Sequence, residues 1–333
     1  MNDAVQRASD ALLKAQKIAI FAHISPDGDT LGCVLALTHA LKKLGKEVIP
    51  CAADGVPHGL KWLPGAEWIQ QTSERRDFDL AVVCDAGALN RVGTSLLPIV
   101  ESAPLLIDID HHVVLGDTFG DIQVLDSKAA ATAELIYTQI RSLEASTGQA
   151  LMDAEIAECL LTGIITDTGS FMFANVRPET LLLASQLQQE GAVPAKICEQ
   201  VYTNHTYASQ KLLACALNSL QLSPNGKVAW AFLTGKDFEE FNAVDSDSDG
   251  IVNHVRDIQG VSIGLLFREI PGKKIRVNLR GREGVAVNEI AAVFGGGGHR
   301  LAAGCSLDPP LNEAIERIIA VAVQHLEEKA LPL

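Results

Sequence analysis

Nine side chains able to do acid–base or metal chemistry fall into four short clusters of this 333-residue sequence. His23, Asp27 and Asp29 lie in "HISPDGD", and Asp85 in "VCDAG". Asp108, Asp110, His111 and His112 lie in "DIDHH", and Asp167 in "TDTGSF". A single histidine after an apolar run, or a single DxD, is ordinary loop polarity. Four such clusters at the ends of apolar segments are not. Carboxylates brought together repel, so either their pKa values rise or cations neutralise them. With imidazoles among them and no cysteine at the matching positions, the donors suit Mn²⁺, with Mg²⁺ or Co²⁺ as alternatives, and suit structural zinc poorly. The set is large enough for two ions roughly 3.5 to 4 Å apart sharing a carboxylate.

Such convergence needs a scaffold. "KIAIFAH", "EVIPCAA", "DLAVVCDAG", "PLLIDIDHH" and "GDIQVLD" read as short strands, and "TLGCVLALTHALKKLG", "TAELIYTQIRSLEAS" and "DAEIAECLLTGIIT" as helices. Continuous apolar strands separated by helices predict an α/β domain with a doubly wound, mainly parallel sheet. Ligands of such sheets bind at the carboxyl ends of the strands, where the clusters fall. Gly191 and Pro194 break the pattern and "YASQKLLACALNSLQLS" reads as a helix. A second alternation then runs through "KVAWAFLT", "VSIGLLFREI", "KKIRVNLRG" and "VNEIAAVFGGGGHRLAAG" to a closing amphipathic helix. The expected organisation is a catalytic domain over 1–190, a helical linker over 191–222 and a smaller α/β substrate-binding domain over 223–333.

The net charge of −14 argues against a broad nucleic-acid-coating surface but permits a short anionic substrate in a local basic pocket. The seven cysteines are scattered without a CxxC pair, the start lacks a signal-peptide pattern, and no apolar run approaches a membrane span. Free thiols, a cytoplasmic location and no membrane partner are expected.

The four clusters, in this order, resemble the motifs of the DHH phosphoesterase superfamily, which includes RecJ-like exonucleases and manganese-dependent family II pyrophosphatases. The second half resembles the associated C-terminal substrate-binding domain, whose glycine-rich signature matches "FGGGGHRLAAG". Length and paired domains most resemble the bifunctional oligoribonuclease and 3′-phosphoadenosine 5′-phosphate phosphatase subfamily. The resemblance implies that His23 and Asp27 bind one metal and Asp29 the other. It implies that Asp85 bridges the two, and that His111 and Asp167 complete the second site. His112 would face the substrate phosphate as proton donor or electrostatic stabiliser. Asp110 would accept a hydrogen bond that fixes an imidazole. Asp108, outside the motif, is not expected to be a ligand. The implied partners are short RNA oligonucleotides or nucleoside bisphosphates, and a homodimer is compatible. A pyrophosphatase, a RecJ-like exonuclease, a dinucleotide phosphodiesterase and a catalytically silent nucleotide-binding module are the alternatives.

In the second half, residues 256–300 carry eight Lys or Arg against four acids, a local +4. The glycine run 295–298 reads as a loop, in which successive glycines let backbone N–H groups converge on an anion. By resemblance, Arg280, Gly297, Gly298 and His299 grip substrate phosphate and nucleotide, with Arg256 a weaker candidate. Lys273 and Lys274 are expected on a solvated turn. "DSDSDG", 245–250, opens like an EF-hand loop, but its twelfth position is Arg256 rather than Glu, so it is expected to be an acidic surface loop.

Overall fold

The computed structural model describes residues 3–113, 118–270, 274–282, 284–308 and 310–330. The chain folds as two compact units, Met1–Asn204 and His205–Leu333. The first contains α1 (Asp3–Lys14), β1 (Lys17–Phe21), α2 (Gly28–Lys43), β2 (Glu47–Cys51), β3 (Leu80–Cys84), α3 (Leu97–Val100), β4 (Leu106–Asp110) and β5 (Ile122–Leu125). Helices α4 (Thr132–Thr147), α5 (Ala154–Asp167), α6 (Pro178–Gln189) and α7 (Pro194–Cys198) follow.

The five strands form a wholly parallel sheet in the order β2-β1-β3-β4-β5. Strand alternation divides the core. Ile18, Ile20, Leu80, Val82, Ile107 and Ile109 pack with residues of α1, α2, α4 and α5. Ala19, Phe21, Ala81 and Val83 face a thinner layer that includes Val92, Leu96 and Ile99. Covering both faces is what a parallel sheet requires. The expected doubly wound α/β fold is therefore present. With β1 flanked by β2 and β3, the strand order reverses there, and loops at that point open a crevice.

Two glycines set the approach of α2 to α5. A Cβ on Gly32 would stand 2.4 Å from the Cys159 carbonyl oxygen. One on Gly163 would stand 2.5 Å from Asp29 Oδ1, so α5 leaves space there for a carboxylate.

The second unit contains α8 (Tyr207–Asn218), β6 (Gln221–Leu222), β7 (Val228–Leu233), α9 (Gly235–Glu240), α10 (Ile251–Arg256), β8 (Ile263–Glu269) and β9 (Ile275–Gly281). It ends with α11 (Val287–Val293), β10 (Gly297–His299), β11 (Ala302–Leu307) and α12 (Leu311–Ala330). Its sheet is mixed, in the order β10-β11-β9-β8-β7-β6, with β7 and β8 parallel and the other pairs antiparallel. Ile263, Leu265 and Phe267 pack with α11 and α12, while Leu266 packs with α8 and α10 on the other face. The 191–222 segment divides, with α7 packing on α5 in the first unit and α8 on β7 in the second.

Among the described residues no helix is long and apolar enough to cross a membrane. Gly32→Ala should destabilise the protein by about 1–3 kcal/mol, because α2 cannot move off α5 without exposing a buried face. Urea unfolding reads this directly, and an unchanged midpoint would show that the helices adjust freely.

Candidate active site and metal centre

The clusters of the first unit meet at the carboxyl ends of β1, β3 and β4. Chain direction alone delivers His23, Asp85, Asp110, His111 and His112, each at a strand end or within two residues of it. Asp27 is the N-cap of α2, where its Oδ1 accepts from the N–H groups of Asp29 and Thr30, both at 3.1 Å. That bond turns Oδ2 towards His23 Nε2, 3.8 Å away. Asp167 is the last residue of α5.

Asp85 is the centre of the cluster. Only 2% exposed, it holds φ at +58°, a left-handed conformation costly for a residue with a Cβ. Its backbone N–H is bonded to the Ile109 carbonyl at 2.9 Å, which ties the turn to β4. Its Oδ2 lies 3.7 Å from His23 Nε2 and its Oδ1 3.6 Å from His111 Nε2. Two ligands held about 2.1 Å from one ion lie roughly 3 to 4 Å from each other. The carboxylate thus turns one oxygen to each of two donor groups.

Both imidazoles are fixed through Nδ1. His23 Nδ1 donates to the Ile24 carbonyl at 2.7 Å, and His111 Nδ1 donates to the Ala129 carbonyl at 3.1 Å. The Nε2 atoms are thereby left to face a metal, with that of His111 free to ligate once it has given up its proton. His111 Nε2 also meets Asp167 Oδ2 at 3.1 Å. Three sets offer ligand atoms within 4.8 Å of one another: His23, Asp27 and Asp85; Asp29, His111 and Asp167; and Asp85, His111 and His112.

Asp29 is fully buried at the N-terminus of α4, where its Oδ2 accepts from Thr132 N–H at 2.6 Å and its Oδ1 from Ala133 N–H at 3.0 Å. Thr132 Oγ1 donates to Asp85 Oδ1 at 2.9 Å. Sequence reading did not single out Thr132. Its signal is a hydroxyl residue opening a helix after the small-residue run "AAA". On the other side, Asp110 Oδ1 accepts from His112 Nδ1–H at 2.6 Å and from its backbone N–H at 2.8 Å, while Oδ2 accepts from Gly87 N–H at 2.5 Å.

The electrostatics favour cations. Burial, followed by the charge of neighbouring carboxylates, pushes Asp29 and Asp85 well above the usual carboxylate range. Burial also raises Asp167. Burial lowers His23, leaving it neutral and fit to ligate. For His111 burial is again the largest influence, but its hydrogen bond to Asp167 and the charge of Asp29 outweigh it, raising it to about 9. Burial likewise raises Asp110, yet its bonds from His112 and Gly87 bring it below the usual range. The nearby thiols of Cys33 and Cys84 are pushed well up by burial and stay protonated. The effective donors are oxygen and nitrogen, which fits a divalent ion of the Mn²⁺ or Mg²⁺ kind.

The second unit uses much of its basic segment structurally. Arg268 Nη1 donates to Asp245 Oδ1 at 2.6 Å and to Ser248 Oγ at 2.8 Å, and Arg276 pairs with the other Asp245 oxygen. The "DSDSDG" stretch is thus a short helical turn, Asp245–Ser248, pinned by arginines rather than a loose acidic loop. Arg282 Nε donates to the Val261 carbonyl at 2.9 Å, and Arg256 pairs with Asp257 at 2.7 Å. Lys274 pairs with Asp308 on the surface, and Lys273 lies outside the described residues.

Arg280 differs. No carboxylate lies within ion-pair reach among the described residues, and its guanidinium bonds the Leu279 carbonyl at 3.1 Å. Burial, then the nearby Arg256, lowers its pKa. Its cross-strand neighbours are the small residues Gly264 and Ala302.

The glycine run differs from the expected loop. Gly297, Gly298 and His299 form β10, paired with Gly304, Ala303 and Ala302 of β11. A Cβ on Gly296 or Gly298 would strike β11 at 2.2 or 2.6 Å, so strand contact requires these two glycines, whereas the space beside Gly297 is open. The His299 side chain lies outside the described residues.

Comparison with known proteins agrees with this geometry. The model of the DHH family, N-terminal domain, matches residues 17–164, and that of the DHHA1 domain matches residues 225–328. The bifunctional oligoribonuclease and PAP phosphatase NrnA of Thermus thermophilus is 33% identical over 311 residues, covering 93% of this chain and 90% of that one. The chain belongs to the DHH family. The protein of the same name from Bacillus subtilis is 29% identical, covering 87% of this chain and 89% of its own. The crystal structure of an exopolyphosphatase-related protein from Bacteroides fragilis superposes with a TM-score of 0.89 at 28% identity, covering 98% and 96% of the two chains. As a DHH-family protein with buried His/Asp clusters, the chain is a metal-dependent phosphoesterase.

Metal uptake should release protons at neutral pH, since His111, raised to about 9, must give up a proton to ligate, and burial shifts Asp29 and Asp85 in the same direction. Affinity should therefore fall as pH falls. Calorimetric titration of Mn²⁺ in buffers of different ionisation enthalpy measures the release. A heat independent of buffer would contradict the assigned protonation.

Proposed function

We propose that this DHH-family enzyme holds two divalent cations, Mn²⁺ by preference with Mg²⁺ or Co²⁺ able to substitute. We infer that it hydrolyses short oligoribonucleotides and 3′-phosphoadenosine 5′-phosphate to mononucleotides. His23 and Asp27 hold one ion, Asp29, His111 and Asp167 hold the other, and Asp85 belongs to both. The observation that carries this reading is the split of Asp85, with one oxygen turned to His23 and the other to His111. The substrate class is supported by the names of the relatives from Thermus thermophilus and Bacillus subtilis, each an oligoribonuclease and PAP phosphatase.

When bound, such ions activate water and neutralise charge on the phosphoryl oxygens. The side chains do the rest. Asp110 holds His112 through Nδ1, which orients the ring and makes Nε2 the atom we assign to the substrate phosphate or its leaving oxygen. Thr132 keeps Asp85 from rotating. In the second unit, Arg280 is the cation assigned to substrate phosphate, because no carboxylate lies within ion-pair reach of it among the described residues. Gly297 and His299 on the β10 edge, together with Gly298 and Arg256, are assigned to the nucleotide, with Arg256 contributing field more than contact.

Initial rates with Mn²⁺ on a 5′-phosphorylated RNA dinucleotide, a 24-mer RNA, 3′-phosphoadenosine 5′-phosphate, pyrophosphate and short polyphosphate test the substrate. Fast turnover of the dinucleotide and the bisphosphate, with the 24-mer slow, is expected. Preference for the long strand or an inorganic substrate would overturn it. Asp85→Ala should lower kcat by about a thousandfold or more, since it strips a ligand from both ions. Arg280→Ala should raise KM about tenfold with kcat nearly unchanged, the signature of lost uniform binding. A collapsed kcat at unchanged KM would place Arg280 at the transition state instead.

A further inference from the structure

Asp108 is a buried carboxyl with no role in the site as described. It lies on the face of β4 opposite Ile107 and Ile109, in register with Val83 of β3 and Gln123 of β5. Val83 and Phe119 belong to the apolar layer on that side. Asp108 is 3% exposed, and its Oδ1 is fully buried with no hydrogen-bond partner. An ionised carboxylate there would keep one oxygen buried without a donor, and would stand two residues from Asp110 on the same strand face. A neutral carboxyl avoids both costs. Burial, followed by the charge of Asp110, pushes Asp108 up to about 8. The other titratable neighbour, Cys84 of β3, is a thiol that stays protonated.

A cavity of about 10 Å³, the room of roughly one water molecule, is lined by Gly87, Asp108, Asp110, His112, Thr118 and Phe119 among others. Asp110 faces it with three donors already in place, from Gly87 N–H and from the backbone and Nδ1 of His112. A carboxylate offers about four acceptor positions.

We propose that Asp108, as a neutral carboxylic acid, donates to a water held in this cavity, which in turn donates the fourth hydrogen bond to Asp110, and that Asp108 is thereby a positioning residue for His112. The inference rests on the roles given above to Asp110 and His112. With all four positions filled, the Asp110 carboxylate cannot turn, and its Oδ1 stays aimed at His112 Nδ1. Losing the fourth donor frees the carboxylate to rotate, and the imidazole loses its fixed direction.

Two variants separate the possibilities. Asp108→Asn keeps a neutral donor of the same shape, and Asp108→Val removes it while filling the space. Asp108→Val should lower kcat about tenfold with KM within about twofold, and Asp108→Asn should restore kcat to within about threefold of wild type. In the metal-free protein, the downfield proton resonance of the short His112–Asp110 bond should persist in Asp108→Asn and shift or broaden in Asp108→Val. Wild-type kcat and resonance in Asp108→Val would overturn the proposal. So would an Asp108→Asn variant as impaired as the valine one, because an ionised carboxylate would then be required. Should Asp108→Val fail to fold, Asp108→Ala is judged by the same readouts. If the wild-type enzyme hydrolyses none of the nucleotides, the functional reading fails, while the resonance still decides the role of Asp108.

Discussion

The first unit is organised around the mutual repulsion of carboxylates in a place that water does not reach. Asp29 and Asp85 are buried and Asp167 stands close by, and all three are pushed towards the protonated state. No apolar packing relieves such a conflict. Cations relieve it, and the surrounding structure makes room for them. Gly163 gives space to Asp29, the first N–H groups of α4 steady that carboxylate, and Thr132 steadies Asp85. The left-handed backbone at Asp85 stores strain at the residue from which both donor groups are reached. Ions bound there would offset the cost of this turn and of the crowded carboxyls, since folding and metal affinity are linked.

The second unit solves the opposite problem. Its arginines on β8, β9 and α10 and just after β9 are mostly matched internally, by Asp245, by Asp257 or by backbone carbonyls. Matched charges build structure but have little left for a ligand. Arg280 stands apart because its neighbours in the sheet are glycine and alanine and because no carboxylate lies within ion-pair reach of it among the described residues, although the charge of Asp249 acts on it from farther off.

Much of this was legible in the sequence because strand ends and helix caps are local signals. Apolar runs broken by His or Asp gave the five parallel strands, and parallel order forced their ends to one rim. What stayed hidden depends on long-range packing. Thr132 reaches Asp85 only because packing brings the start of α4 to a carboxylate 47 residues earlier in the chain, and Gly163 matters only because α5 crosses α2 at that point. Asp245 looked like solvated acid because its arginine partners lie more than twenty residues away. The glycine run looked like a loop, yet β11 follows closely enough to draw it into a strand. Asp108 fitted the alternation of its strand but not the apolar layer it enters, a conflict that only the packed structure exposes.

Anomalous diffraction at the manganese absorption edge, from crystals equilibrated with Mn²⁺, tests the central claim most directly. Two peaks are predicted, one beside His23 and Asp27 and the other beside Asp29, His111 and Asp167, with an oxygen of Asp85 on each. A single peak, or two peaks of which Asp85 touches neither or one alone, would contradict the account of that carboxylate as the shared centre of the site.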